Sequence, residues 1–160
     1  MNISQKITPF LWFNEDAEEA AELYVSVFPN SKINSKHYYP KEFPNLGGKI
    51  MTISFELNGL QFTALNGGPK YKFTEAVSFV VNCDTQEEID HYWNSFLADG
   101  GKELACGWIN DKFGLAWQIV PSQLGKYLSS GDKEKSNRVM QALWSMNKLI
   151  IADLEKAFNQ

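Results

Sequence analysis

The feature of this sequence that most restricts its fold is an order of predicted elements that occurs twice. In the first occurrence, "ITPFLWF" alternates as a strand does, and "NEDAEEAAELYVSVFP" has the apolar spacing of a helix that Pro29 ends. After a connection over residues 29–49, "KIMTISFEL" and "LQFTALN" predict two strands joined by a turn at Asn58 and Gly59. We interpret residues 5–68 as a first βαβββ module, of which these stretches account for the helix and three of the four strands.

The second occurrence covers residues 75–121. "AVSFVVN" predicts a strand, and "DTQEEIDHYWNSFLADGG" predicts a helix whose N-terminus carries a capping box of Thr85 and Glu88. "KELACGWI" and "GLAWQIV" follow as strands around an Asn110-Asp111 turn. Residues 122–160 predict a C-terminal helical extension. The repeat therefore predicts an α+β fold of duplicated βαβββ modules, with residues 1–160 forming a single domain.

The alternation within each strand also predicts which face of the sheet a residue occupies. Leu11, Phe79 and Trp117 fall on the faces that the helices cover. The opposite faces combine polar and aromatic residues, which are typical of a sheet that lines a wet cavity or an interface. They are Thr8, Phe10, Trp12, Thr63, Ser78 and Gln118.

Composition and charge exclude several classes of partner. The net charge is −4 and no basic run occurs, which argues against a nucleic-acid partner. The N-terminus lacks the basic and apolar segments of a signal peptide, and no apolar run reaches membrane-spanning length. Cys83 and Cys106 are too few for a disulfide framework. These features predict a cytoplasmic protein with no membrane partner.

The duplicated order and three stretches of sequence resemble the vicinal oxygen chelate superfamily, and within it the PhnB-like, or 3-demethylubiquinone-9 3-methyltransferase, subgroup. The stretches are "ITPFLWFNEDAEEAAELYVSVFPNSKI", "LNGGPKYKFTEAVSFVV" and "CGWINDKFGLAWQIVP". The resemblance implies a U-shaped mixed sheet around a cleft, in a homodimer. Apolar residues of the tail need cover from a partner subunit or from the chain's own sheet edge. They are Val139, Leu143, Trp144, Leu149 and Leu154.

Metal-dependent proteins of the superfamily place His, Gln or Glu at four matched strand positions. The resemblance puts these positions at Thr8, Thr63, Ser78 and Gln118, and of these only Gln118 is a familiar ligand. Because hydroxyl groups bind divalent transition metals weakly, we predict no metal and no cofactor. His37, in the connection, and His91, on the second helix, lie outside the predicted cleft strands. "NGGPKYKF" precedes a loop, unlike the Gly-rich turn of doubly wound methyltransferases.

Two classes of function remain open. One is a small-molecule-binding protein of the glyoxalase and bleomycin-resistance type, in which Gln118 points into the cleft and Trp108 stacks on a planar ligand. Asp111 either orients that ligand or holds its own turn. The alternative is an enzyme, either metal-dependent or metal-independent, that acts as a lyase, isomerase or transferase on a small metabolite. Glu56 is its candidate catalytic base, provided that burial raises the pKa of the carboxyl group.

Overall fold

A computed structural model describes residues 5–160 as two compact units. The first unit ends at Lys72, and the second comprises Phe73–Gln160. The boundary falls between the two predicted modules, and the C-terminal helices belong to the second unit. Each unit contains one four-stranded mixed sheet with a helix between its first and second strands. The predicted α+β fold of duplicated βαβββ modules with a C-terminal helical extension is confirmed.

The first unit is built from four strands and one helix: β1 (Phe10–Phe13), α1 (Ala17–Val27), β2 (Lys32–Tyr38), β3 (Ile50–Leu57) and β4 (Leu60–Asn66). The strands are arranged in the order β1-β4-β3-β2. β1 runs parallel to β4, whereas β3 is antiparallel to both of its neighbours. Asn58 and Gly59 connect β3 to β4 with φ angles of 46° and 87°, which confirms the predicted turn.

Strand β2 lies inside the segment that the sequence predicted to be a connection. Its sequence, "KINSKHY", carries polar residues on both faces, so the alternation that marks a half-buried strand is missing. Two irregularities in its register, after Ile33 and after His37, disturb the pattern further. Lys36 donates a hydrogen bond to Glu18 of α1, which places that side chain on the helix-covered face.

The core of the first unit lies between α1 and one face of the sheet. Its largest fully buried side chains are Tyr24, Ile53 and Phe55. The N-cap of α1 is Asp16, and its side chain makes no capping bond. The side chain of Asn66, at the end of β4, accepts a hydrogen bond from Ala17 N at 2.8 Å instead. The cap thus comes from a residue distant in sequence, which ties the helix to the sheet.

The second unit repeats the topology. Its elements are β5 (Ser78–Cys83), α2 (Gln86–Ala98), β6 (Lys102–Glu103), β7 (Trp108–Asn110) and β8 (Ala116–Pro121), with the strand order β5-β8-β7-β6. The stretch "KELACGWI" is divided between two short strands. At the start of α2, Glu88 N donates to Thr85 Oγ1 at 3.3 Å, and the Glu88 carboxylate accepts from Asp84 N at 2.6 Å.

The C-terminal extension comprises α3 (Leu124–Leu128), α4 (Lys133–Trp144) and α5 (Ile151–Asn159). Most of the apolar tail residues form a buried cluster inside this extension. The members are Val139, Leu143, Leu149 and Leu154. Cys106 and Val120 of the strand region pack against this cluster. The chain's own second unit therefore covers these residues, and of the five only Trp144, at 68% exposure, remains on the surface.

Backbone hydrogen bonds attach the extension to the turn that precedes β7. Cys106 N donates to Met146 O at 2.7 Å, and Gly107 N donates to Asn147 O at 2.8 Å. Gly107 has a φ of 81°, and a Cβ atom there would lie 2.8 Å from Ile119 O and 3.0 Å from Leu149 Cδ1. The close approach of the extension therefore requires glycine at this position. Across residues 5–160, no helix is both long and apolar enough to cross a membrane.

Candidate functional site

The helix-free face of the first sheet carries mostly polar side chains around one exposed ring. Phe10 pairs with Thr63 on β4, and Thr63 pairs on its other side with Ser54 of β3. Directly opposed residues share a face, so these three side chains form one row across the sheet. Phe10 is 59% exposed, whereas Thr63 and Ser54 are half-buried. Thr8 lies two residues before Phe10, outside β1, and is exposed.

Trp12 occupies the next row of the same face, but its ring is held by the segment that follows β4. Its indole N–H donates to Gly68 O at 2.9 Å, and the ring of Tyr71 meets it edge-on at 4.9 Å. A Cβ atom on Gly67 would lie 2.4 Å from the Trp12 ring, so only glycine permits this contact. Because its polar group is occupied, Trp12 serves chiefly to anchor residues 67–71.

Glu56, the candidate catalytic residue, lies beside the β3–β4 turn and is half-buried. Gln61 donates a hydrogen bond from Nε2 to Glu56 Oε2. The side-chain oxygen of Gln61 in turn accepts from Asn34 Nδ2 at 2.8 Å. This chain of amides holds one carboxylate oxygen at the end of the hairpin, and Glu56 Oε1 is left for another donor.

His37 belongs to this face as well, which corrects its expected place outside the sheet. It lies on β2 and pairs with Thr52 of β3. Its neighbour Lys36 contacts α1, and successive strand residues point to opposite faces, so His37 is directed to the helix-free side. The side chain is exposed. The sequence indicates that the neighbouring side chains of Lys36 and His37 point to opposite faces of a strand. Only the contact of Lys36 with α1 shows which of the two faces is covered by the helix.

In the second sheet, the structure brings together three of the predicted site residues. Gln118 Nε2 donates to Ser78 Oγ at 2.8 Å, and Trp108 lies directly opposite Gln118 in the register of β7 and β8. All three are half-buried. Among the described residues, neither the side-chain oxygen of Gln118 nor the indole N–H of Trp108 has a hydrogen-bond partner. We call Ser78, Gln118 and Trp108 the Gln118 row. It presents one open acceptor, the Gln118 side-chain oxygen, and one open donor, the indole N–H of Trp108.

The same face includes Asn110, and Asn110 bonds Glu75 in the turn before β5; the sequence reasoning selected neither residue. Asn110 lies two positions after Trp108 on β7, and its Nδ2 donates to Glu75 Oε1 at 2.6 Å. This hydrogen bond, from the Asn110 amide, lowers the pKa of the exposed Glu75 carboxyl group. The sequence interpretation assigned Asn110 to a turn, although its two-residue spacing from Trp108 indicates the same face.

Asp111 lies inside its turn and is only 3% exposed. Its Oδ1 accepts from Phe113 N at 2.9 Å and from Leu115 N at 3.0 Å. Its Oδ2 accepts from the indole N–H of Trp117 at 3.0 Å, on the helix-covered side of the sheet. Of the two roles left open for Asp111, this geometry supports the structural one, so we place this residue outside the candidate site.

The C-terminal extension bounds the site at one end. Val120 follows Gln118 by two residues on β8 and therefore shares its face. Val120 packs against the apolar cluster of the extension. The helices thus cover the sheet beyond the Gln118 row, whereas Val80, which pairs with Gln118 on the other side, is 52% exposed.

The residues at the four matched positions do not fit the metal that the family resemblance associates with them. Three of them offer neutral hydroxyl groups, and the amide N–H of Gln118 is directed at Ser78. Within residues 5–160, no group of three or more His, Cys, Asp or Glu side chains could hold a metal ion.

The Cys83 thiol stays protonated at neutral pH. Burial is the main cause that raises its pKa to about 12, and the negative charges of Glu88 and Asp84 add to the effect.

Comparisons with known proteins agree with the geometry. Residues 5–120 match the model of a family described as 3-demethylubiquinone-9 3-methyltransferase. A PhnB protein from Bacillus cereus is 36% identical, with a TM-score of 0.67, over 73% of this chain and 99% of that one. Protein PA1353 from Pseudomonas aeruginosa is 22% identical, with a TM-score of 0.62, over 74% of this chain and 98% of that one.

A more distant structure shares the fold alone. The fosfomycin resistance protein FosX from Listeria monocytogenes, solved with Mn(II) and sulfate, is 15% identical with a TM-score of 0.54. The match covers 81% of this chain and 99% of FosX. None of the curated proteins compared with the chain matches it.

Proposed function

The chain belongs to the 3-demethylubiquinone-9 3-methyltransferase family of the vicinal oxygen chelate superfamily, and from this premise we propose that it binds a small molecule in the cytoplasm without the usual metal quartet. The binding type is that of glyoxalase-like and bleomycin-resistance proteins. The row of Ser78, Gln118 and Trp108 carries this proposal, because it leaves an acceptor and a donor open beside an indole ring. A planar ligand that carries its own donor and acceptor would satisfy both groups.

We do not extend the family's methyl-transfer name to this chain. The Gly-Gly pair after β4 is the segment whose sequence was compared with a cofactor turn. Gly67 is packed against the ring of Trp12, and Gly68 O accepts the indole hydrogen bond. Packing against Trp12 therefore accounts for Gly67, and a φ of 86° accounts for Gly68.

Substitutions in the row should weaken ligand binding with little loss of stability. We expect Gln118→Ala and Trp108→Ala each to reduce affinity by about tenfold or more, because each removes one ligand contact worth roughly 1.4 kcal/mol. Ligands are identified first by a thermal-shift screen of planar metabolites, and affinities are then measured by calorimetry. Gln141→Ala and Trp144→Ala are matched controls, since both residues are exposed on α4. Equal affinity in all four variants would reject the row as the binding site.

An enzymatic role is the alternative, and Glu56 and His37 favour it because both lie on the helix-free face of the first sheet. Turnover of a ligand found in the screen, abolished by Glu56→Gln, would establish catalysis and reject simple binding.

Elemental analysis of the purified protein tests the absence of a metal separately. One tightly bound divalent ion per chain would overturn the proposal that the protein works without metal.

We also propose a homodimer, supported by apolar residues that the chain leaves exposed at matched positions of its two modules. Phe10 and Val80 pair with Thr63 and Gln118 in the equivalent registers of the two sheets. Phe10 is 59% exposed and Val80 is 52% exposed; Ile7 and Val77, three residues earlier in each module, are 86% and 67% exposed. A second copy of the chain would remove these side chains from water.

The dimer proposal is tested by charge substitution at this surface. We expect the wild type to sediment as a dimer at micromolar concentration and the Phe10→Glu, Val80→Glu double variant to sediment as a monomer. Leu60→Glu is the control, because Leu60 is a 42% exposed apolar residue of the β3–β4 hairpin that is not one of these matched positions. A monomeric wild type would refute the dimer, and a double variant that remains dimeric would refute this interface.

A further inference from the structure

The first unit contains a cavity of about 520 Å³ at one end of its sheet. It opens where β1 and β4 end, between the start of α1 and the hairpin that joins β2 to β3. The residues that carry the argument are Glu15, Glu18, Leu46, Lys49 and Ile50. No residue of the Phe10 and Thr63 row belongs to its lining.

The walls of this cavity are held in place by hydrogen bonds that do not involve a ligand. Asn66 accepts from Ala17 N at 2.8 Å and donates from Nδ2 to Ile50 O at 3.1 Å, which joins α1 to β3. The Tyr39 hydroxyl donates to Asn66 O at 2.8 Å. The hairpin is closed by Tyr39 N, which donates to Lys49 O at 2.9 Å. A cavity that is formed before binding loses less conformational entropy when a ligand enters.

Opposite charges line the cavity without neutralising each other. Among the described residues, neither the Lys49 ammonium nor the Glu15 carboxylate has a side-chain partner. Glu18 Oε1 accepts a hydrogen bond from Lys36, which leaves Oε2 available. One cation and the acidic groups at the start of α1 therefore remain to pair with charges on a ligand.

Apolar side chains complete the lining on the hairpin side. Leu46 is 36% exposed, and Ile50 is half-buried at the start of β3. Together with the charges, they fit a ligand that carries an ammonium group, a carboxylate group and an aliphatic side chain. The volume lies within the range of roughly 300–1,000 Å³ that is usual for small-molecule sites.

We propose that this cavity is a second binding site, which takes a small aliphatic zwitterion of amino acid or dipeptide size. Glu15 and Glu18 receive the ligand ammonium group, Lys49 receives its carboxylate, and Leu46 and Ile50 contact its side chain. The site is independent of the function proposed for the second sheet, since its lining lies wholly in the first unit.

The test uses the full chain and the dipeptide glycyl-leucine as the probe. We expect saturable binding by calorimetry with a Kd of about 1 mM or tighter. The N-acetylated dipeptide and the dipeptide amide should each bind at least about tenfold more weakly, because each lacks one of the paired charges. Lys49→Gln should abolish the preference for the free carboxylate, and Glu15→Gln should reduce the preference for the free ammonium group.

Matched controls separate this site from general charge effects. Lys41→Gln and Glu42→Gln alter exposed charges of the same hairpin outside the cavity lining and should leave binding unchanged. Gln118→Ala should also leave it unchanged, which distinguishes this site from the row on the second sheet. Absence of saturable binding up to about 10 mM overturns the proposal, as does equal binding of the capped and free dipeptides.

Discussion

Trp117→Ala is expected to destabilise the protein by about 3–5 kcal/mol, which is enough to unfold a marginal domain. The ring is 2% exposed, stacks on Phe96 of α2 at a centroid distance of 5.2 Å, and contacts Phe79 at 5.6 Å. Its removal leaves a cavity between the sheet and the helix. The substitution also deprives Asp111 of the indole hydrogen bond. Urea denaturation followed by circular dichroism measures the loss.

Gln118→Ala, one residue along the same strand, is the internal comparison. Its side chain lies on the opposite face and makes one hydrogen bond, to Ser78, so we expect a loss of about 1 kcal/mol. The ratio of the two effects reports which face of β8 is packed. A Gln118→Ala variant that melts as early as Trp117→Ala would mean that the strand register is shifted by one residue.

Asp111→Ala should cost about 3–5 kcal/mol, the second large effect, because it removes the carboxylate that accepts hydrogen bonds from three donors in a buried turn. The donors are the backbone N–H groups of Phe113 and Leu115 and the indole N–H of Trp117. Asp111→Asn should lose less, since one side-chain oxygen can still accept from the backbone. Thermal and urea unfolding measure both variants, and near-ultraviolet circular dichroism reports the environment of Trp117.

Asp99→Ala is the control for the loss of a carboxylate near this turn. Asp99 pairs with Lys112 at 3.0 Å, and both side chains are about one third exposed, at 32% and 27%. Such a pair contributes roughly 0–1 kcal/mol, so this variant should remain close to the wild type. If Asp111→Ala were as stable as Asp99→Ala and bound ligand less well, Asp111 would belong to the site after all.

Much of the fold could be predicted because local patterns and tertiary packing agree. The stripe of α2 and the alternation of β8 both direct apolar residues to one side, so Trp93 and Trp117 are buried as their spacing indicates. The same agreement held at the Asn58-Gly59 turn. Strand β2 was missed because it carries polar residues on both faces and so lacks the apolar alternation of a strand, and only pairing with β3 makes the segment a strand.

The candidate site was predicted less completely than the fold. Matching the two modules selected Ser78 and Gln118, and Trp108 was selected as an aromatic residue at the start of the turn. The register places Trp108 opposite Gln118, whereas a side-chain hydrogen bond joins Gln118 to Ser78. His37 and Asn110 were not selected. His37 lies on the irregular strand β2, which was not predicted as a strand, and Asn110 is the last residue of the short strand β7 and was assigned to the turn. For Asp111, spacing left both roles open, and only the hydrogen bonds that it accepts from Phe113, Leu115 and Trp117 distinguish them.

The sequence by itself determined the duplicated order of elements and the inward face of most strands, because both follow from periods of two and 3.6 residues along the chain. Tertiary structure decided which partners the helix ends, the polar side chains and the remaining apolar residues contact. Asn66 caps α1 from across the first unit, and the C-terminal cluster covers Val120 beside Gln118. These contacts join residues distant in sequence, and local periodicity contains no information about which distant partner a polar group or an apolar stripe will meet.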